Sequence, residues 1–258
     1  MTNNNPIGLF DSGIGGTSIW TKIHHLLPNE STIYLADSKN APYGQKSKEE
    51  IIELSIKNTE YLLNHNSKLI VVACNTATTN AIKELRAKYD VPFIGIEPAL
   101  KPAVNNTKTQ VIGILATKGT LNSELFNKAV ELYQDTTIIE QIGYGLVHLI
   151  ENGDMNSPEM FELLKSYLHP MIEANIDYLV LGCSHYPYLI PQIKKILPSH
   201  IKIIDSGEAV ARQTQNILNN RVGFNTAENP FTEFHTNTSP SVLSEILNNE
   251  YPIQQKDF

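Results

Sequence analysis

Two side chains in this chain of 258 residues are thiols, Cys74 and Cys183, and both stand where proton transfer is plausible chemistry. Cys74 lies in ACNTAT (residues 73–78) and Cys183 in GCSHYP (residues 182–187). Each follows a short apolar run, LIVV or YLVL, and each is followed by hydroxyl, amide or imidazole groups: Asn75 and Thr76, Ser184 and His185. The pattern predicts a buried strand ending at each thiol with a helix about to begin, and a helix N-terminus draws a thiol toward the thiolate from its ordinary pKa of about 8.5. A lone free cysteine is most often an inert packing residue. Two in equivalent settings point instead to an acid and a base on opposite faces of one carbon.

Other uses of the pair explain less. A zinc site could recruit Cys74, Cys183 and His185, but neither thiol belongs to a CxxC pair and a further ligand is unidentified. A redox dithiol normally uses close spacing. A Cys183–His185 nucleophile for acyl transfer would use residues that do not face each other on a helix.

A second constellation is DSGIGGTS, residues 11–18. Three glycines after a strand permit a tight turn, and the following helix aims free N–H groups at an anion. A dinucleotide fingerprint is a rival, because Asp37 ends the next strand at a suitable distance, yet Ser18 stands where the third glycine belongs. A P-loop is excluded by the lack of a following Lys-Ser or Lys-Thr. Asp11, at a strand's carboxyl end, is expected to face a cleft. In NAPYGQKS, residues 40–47, Tyr43 could offer its hydroxyl and Gly44 an approachable backbone; a plain turn ahead of a capping box is the blander reading.

The elements that must hold these groups alternate strand and helix. Strands are predicted at Ile7–Phe10, Thr32–Ala36, Leu69–Ala73, Val91–Ile96, Val111–Leu115, Thr137–Ile142, Tyr178–Leu181 and Ile201–Ile204, several of them apolar throughout, as in buried parallel sheets. Ser47 with Glu50 opens one helix as a capping box, Ser157 with Pro158 opens another that carries Pro170 as an expected kink, and Ala81, Ile82, Leu85 and Tyr89 mark a third. A faint repeat pairs IGLFDSG (7–13) with IGILATKG (112–119), LIVVACNTAT (69–78) with YLVLGCSHYP (178–187), and VPFIGIEPA (91–99) with IKIIDSGEA (201–209), in one order and nearly one register. It predicts two similar open-sheet α/β domains, one from residues 1–97 plus 209–258 and one from 98–208. The C-terminal part would complete the first domain through an edge strand, Phe231–His235, and a short helix after Pro240. Ligands bind beyond the carboxyl ends of parallel strands, so the thiols would occupy opposite walls of one cleft.

Composition agrees. The mix of 41% hydrophobic and 18% charged residues is that of an ordinary globular protein, and no apolar run is long enough to cross a membrane. A net charge of −7 without a dense basic cluster argues against nucleic acid. Two cysteines make no disulfide framework, and with no signal-peptide pattern at the start a reducing cytoplasm is expected.

Taken in order, FDSGIGG, YLADSKNAPYG, VVACNTAT, FIGIEPA, IGILATKGT, GCSHYP and IDSGEAVA resemble the glutamate racemase family along nearly the whole chain. The resemblance implies a two-domain α/β racemase with pseudo-twofold symmetry, acting on L- and D-glutamate without pyridoxal phosphate or metal, and supplying D-glutamate for peptidoglycan. It implies that Cys74 and Cys183 are the acid/base thiols, Cys74 acting on D-glutamate and Cys183 on L-glutamate. Asp11 would assist the first, and His185 with Glu151 the second. Asp11, Ser12, Tyr43, Gly44, Asn75, Thr76, Ser184 and His185 match substrate-binding positions, and Thr117 and Thr120 are expected to line the same cleft. The family is often dimeric, so a homodimer is an expectation. Ser184 departs from the usual threonine, which predicts a looser pocket. Two alternatives are a racemase for aspartate or another acidic amino acid, and a non-enzymatic two-domain anion-binding protein.

Overall fold

The computed structural model describes residues 2–258. Its strands are β1 (Ile7–Asp11), β2 (Thr32–Ala36), β3 (Leu69–Val72), β4 (Phe93–Gly95), β5 (Val111–Ala116), β6 (Thr137–Ile142), β7 (Tyr178–Gly182), β8 (Lys202–Ile204), β9 (Thr232–Thr236) and β10 (Ile253–Gln255). They form two open parallel sheets, ordered β10-β9-β2-β1-β3-β4 and β6-β5-β7-β8. The orders β2-β1-β3-β4 and β6-β5-β7-β8 are the same topology twice. Each reverses direction beside its first strand, at β1/β3 and at β5/β7, which opens a crevice at the strands' carboxyl ends. Cys74 follows β3 and Cys183 follows β7, so the repeat seen in sequence puts the thiols at equivalent places.

Burial explains the strand compositions. β1, β2, β3 and β7 are buried at every residue, while β6 and β8, at the edges of the smaller sheet, are partly exposed. One apolar core joins the facing sides of the two sheets, bringing Leu9 and Val71 together with Leu115, Leu179 and Leu181. Each outer face has its own core, Phe10 and Val72 with Leu85 in one, Ile112 and Ile114 with Phe126 in the other. At the amino ends of the strands, Lys68 and Glu30 form a buried ion pair of 2.7 Å, and Lys68 Nζ also donates to the carbonyls of Asn3 and Gly223. Among the described residues no helix is long and apolar enough to cross a membrane.

The helix signals work as read. Ser47 and Glu50 exchange side chain-to-backbone bonds of 3.2 and 3.0 Å ahead of the helix Lys48–Asn64, and Ser157 Oγ accepts from Met160 N at 3.1 Å. Two expectations need correcting. The segment expected as an edge strand is β9, which is interior, because β10, too short and polar to stand out in sequence, pairs with it on the far side. Pro170, by contrast, lies inside the helix Pro158–Glu173 as expected, near its end on an exposed face where water can serve the released carbonyl. Cys183 does not open an α-helix directly. A 3₁₀ turn, Tyr186–Leu189, intervenes before the helix Ile190–Ile196, since a helix begun at Ser184 would need an N–H at Pro191 to reach the carbonyl of Pro187.

Candidate active site

Cys74 caps the helix Asn75–Lys88, its Sγ accepting from Ala77 N at 3.4 Å. From the other sheet Cys183 meets it across one small cavity, lined also by Ser12, Pro42, Tyr43, Gly44, Asn75, Thr76, Thr117, Val147, Ser184 and His185. The free interior is ≈ 10 Å³, space for about one water. Both thiols are buried.

Their surroundings differ. Behind Cys183 stands His185, with Nδ1 3.9 Å from Sγ and Nε2 2.5 Å from Glu151 Oε1. Burial works against the imidazolium, but Cys183, Glu151 and Asp11 outweigh it and hold His185 well above its ordinary range. Burial likewise opposes charge on Glu151, yet the bond from His185 and a 2.8 Å bond from Ile14 N keep its carboxyl below the usual value. The result is a carboxylate–imidazole–thiol line. Near Cys74 the group is Asp11, fully buried, whose Oδ2 accepts from Gly16 N at 2.9 Å and whose Oδ1 accepts from Ser184 Oγ at 3.1 Å. Burial pushes the Asp11 carboxyl up, with His185 opposing. Burial first, then the charge of Asp11, pushes the Cys74 thiol well up despite help from Ala77 N–H and Ser12. The expected lowering by the helix N-terminus is therefore outweighed by burial and the charge of Asp11.

The glycine turn has a different purpose from the one its sequence suggests. A Cβ on Gly13 would overlap Glu151 Oε1, one on Gly15 would overlap the His185 ring, and one on Gly16 would stand 2.7 Å from Asp11 Cβ. The glycines give three ionisable side chains room to pack on the backbone, and the N–H groups of Gly13, Ile14 and Gly16 are occupied by Asp11 and Glu151. Asp37 is also accounted for. It accepts from Tyr43 Oη, from Asn40 and Asn237 at 2.7 and 2.5 Å, and from Asn58 at 3.5 Å. Nothing of it remains for a ribose, and the dinucleotide reading falls.

This network corrects the expectation for Tyr43. Its hydroxyl is held by Asp37 and Asn58, so what it presents to the cavity is ring and backbone, beside Gly44, which packs against Thr117. Thr76, Thr117 and Thr120 form a hydroxyl trio, with separations of 2.7, 3.3 and 3.0 Å, that joins the two walls. Thr120 stands behind the lining. Asn75 donates to Ile96 O while its buried Oδ1 has no partner, an acceptor available to a ligand. Sequence reading missed Pro42 and Val147, ordinary apolar residues whose position follows only from the fold, and the Asp37 network. The latter had a signal: Ser55, Asn58 and Thr59 lie on the buried stripe of a helix with Ile51 and Leu62. Among the described residues no group of three or more His, Cys, Asp or Glu is arranged to hold a metal ion.

Comparison with known proteins agrees with this architecture. The profile of the Asp/Glu/hydantoin racemases matches residues 7–214. A glutamate racemase of Ralstonia pickettii is 50% identical over 214 residues, 83% of this chain and 76% of that protein. The crystal structure of a Bacillus anthracis glutamate racemase isoform superposes with a TM-score of 0.88 at 32% identity, covering 98% of this chain and 97% of the other. That of the Francisella tularensis glutamate racemase in complex with D-glutamate gives 0.84 at 28% identity, covering 98% of each chain. The chain belongs to the glutamate racemases of the Asp/Glu/hydantoin racemase family.

Proposed function

We propose that this chain interconverts L- and D-glutamate by passing protons at the α-carbon between two thiols on opposite faces. With L-glutamate bound, the Cys183 thiolate takes the α-proton while the Cys74 thiol gives its own to the other face. The product is D-glutamate, and Cys74 is left as thiolate and Cys183 as thiol. The reverse reaction starts from that state. Cys74, kept protonated by burial and Asp11, suits the donor role for L-glutamate. The His185 imidazolium, backed by Glu151, presents a proton toward Cys183 Sγ.

Neither thiol needs a cofactor in this scheme, but the carbanionic transition state must be stabilised electrostatically. The substrate carboxylates accept from hydroxyls and N–H groups of Ser12, Tyr43–Gly44, Thr76, Thr117 and Ser184, and the substrate ammonium donates to Asn75 Oδ1. The ≈ 10 Å³ cavity must widen to admit glutamate, and closure over the bound substrate would exclude bulk water, which strengthens each of these contacts.

The observation that supports this reading most is the meeting of two equivalent-by-repeat thiols around one cavity, each with a different charged neighbour. D-glutamate formed in this way serves peptidoglycan synthesis. We further assign the cores of two domains to residues 1–97 plus 209–258 and to 98–208, and propose a homodimer working in a reducing cytoplasm; sedimentation velocity would test the assembly. The function is tested by circular dichroism of L-glutamate, with L-aspartate alongside and no pyridoxal phosphate added. The unaltered chain should racemise glutamate, and Cys74→Ala and Cys183→Ala should each abolish it. Full turnover by either variant would end the proposal.

A further inference from the structure

One cross-wall contact lies outside the cavity. Asn80, on the helix Asn75–Lys88 one turn beyond Thr76, is absent from the cavity lining. Its Nδ2 donates to Thr76 O at 2.9 Å and, across to the other sheet's elements, to Gly119 O at 3.0 Å. Two carbonyls can only be met by the amide's NH₂, which fixes its orientation. Gly119 belongs to the four-residue helix Lys118–Leu121. The next N–H groups bypass its carbonyl, Asn122 donating to Lys118 and Ser123 to Thr120.

Gly119 is pressed against the opposite wall. An added Cβ would stand 2.8 Å from Thr76 Cγ2 and 3.1 Å from Gly44 Cα. Holding the Gly119 carbonyl therefore fixes how the turn carrying Thr117 and Thr120 meets Thr76 and Gly44. Thr76, Thr117 and Gly44 all face the cavity.

We infer that Asn80 is a positioning residue: its amide fastens the Thr117–Thr120 turn to the Asn75–Lys88 helix and so sets the wall on which glutamate binds. The inference rests on the racemase reading above and adds a residue to it. Because Asn80 touches no reacting atom, its loss should weaken binding in every state along the reaction rather than slow the proton transfers.

The test uses Asn80→Ala and Asn80→Asp. Alanine removes the donor. Aspartate keeps the shape but turns a carboxylate toward two carbonyls. A bond of this kind corresponds to a roughly five- to tenfold loss of kcat/KM in Asn80→Ala, carried by KM. The loss should be larger in Asn80→Asp, with the unfolding temperature little changed. Enantiomers have equal free energies in water, so the loss must be the same in both directions, a check on the data. Wild-type constants in Asn80→Asp would overturn the inference, as would a loss confined to kcat, or a lowered unfolding temperature with unchanged KM. Absence of racemisation by the unaltered chain would instead overturn the reaction assigned to it. Calorimetric affinity for glutamate would then decide the role of Asn80, unchanged affinity in Asn80→Asp counting against it.

Discussion

Gly15→Ala should disable the site by displacing a side chain 170 positions away in sequence, His185. No unusual backbone angle calls for glycine at this position; the left-handed glycines are Gly145, Gly153 and Gly223. Alanine is thus allowed by the backbone. What forbids it is the imidazole, since the new Cβ would overlap Nδ1 and Cγ and stand 2.7 Å from Cε1. Ordinary contact requires the ring to retreat by roughly 1 Å, and a misplacement of that size costs on the order of 100-fold in rate. The retreat would disturb both the approach of Nδ1 to Cys183 and the bond of Nε2 to Glu151. We predict that kcat/KM falls about 100-fold, or about 2.7 kcal/mol, in both directions by circular dichroism, with the fold retained by thermal melting. The decisive comparison is a double-mutant cycle. If the clash with His185 is the cause, Gly15→Ala should cost almost nothing further in a His185→Ala background. An unaffected Gly15→Ala enzyme, or the same 100-fold loss in both backgrounds, would refute the reasoning.

The remaining predictions follow from other contacts. His185 is held well above its ordinary pKa and acts as the cation, so kcat/KM should fall as pH rises through that raised value; Glu151→Gln removes an anionic partner and should move this alkaline limb toward neutrality in a pH–rate profile. Ser184→Thr adds one methyl group at a cavity-lining position, and covering that methyl with bound substrate is worth about 0.8 kcal/mol, which should lower KM by about fourfold with kcat little changed. Glu30→Gln leaves Lys68 charged and buried without its partner, which should destabilise the fold by about 3–5 kcal/mol in denaturant titration while sparing the kinetics of the folded fraction.

Much of this was legible before the fold was known, for identifiable reasons. Runs such as LIVVA and YLVLG read as central parallel strands because both faces are covered, and the same completeness made the three-pair repeat visible. The repeat is what set Cys74 and Cys183 at equivalent strand ends. What sequence could not supply is the content of long-range contacts. The glycines of DSGIGG look like an anion cradle in one dimension, and only the arrival of Glu151 and His185 from the other sheet shows what they make room for. Asp37 looked like a ribose ligand until four donors, one of them from Asn237, were found around it. The ionisation of Cys74 was misread because a helix N-terminus is a local signal, whereas full burial beside Asp11 is a tertiary one, and burial is the larger effect. The β10 strand escaped notice because three mostly polar residues at a sheet edge carry almost no periodicity.

Two thiols serving opposite faces of one carbon make a prediction that isotopes read directly. L-Glutamate is converted in deuterated water, and both enantiomers are sampled early by chiral separation and mass spectrometry. The first D-glutamate formed should carry deuterium at the α-carbon while the unreacted L-glutamate remains protiated. Solvent deuterium appearing in L-glutamate as fast as D-glutamate accumulates would mean that one group removes and returns the proton, and would contradict the two-thiol account.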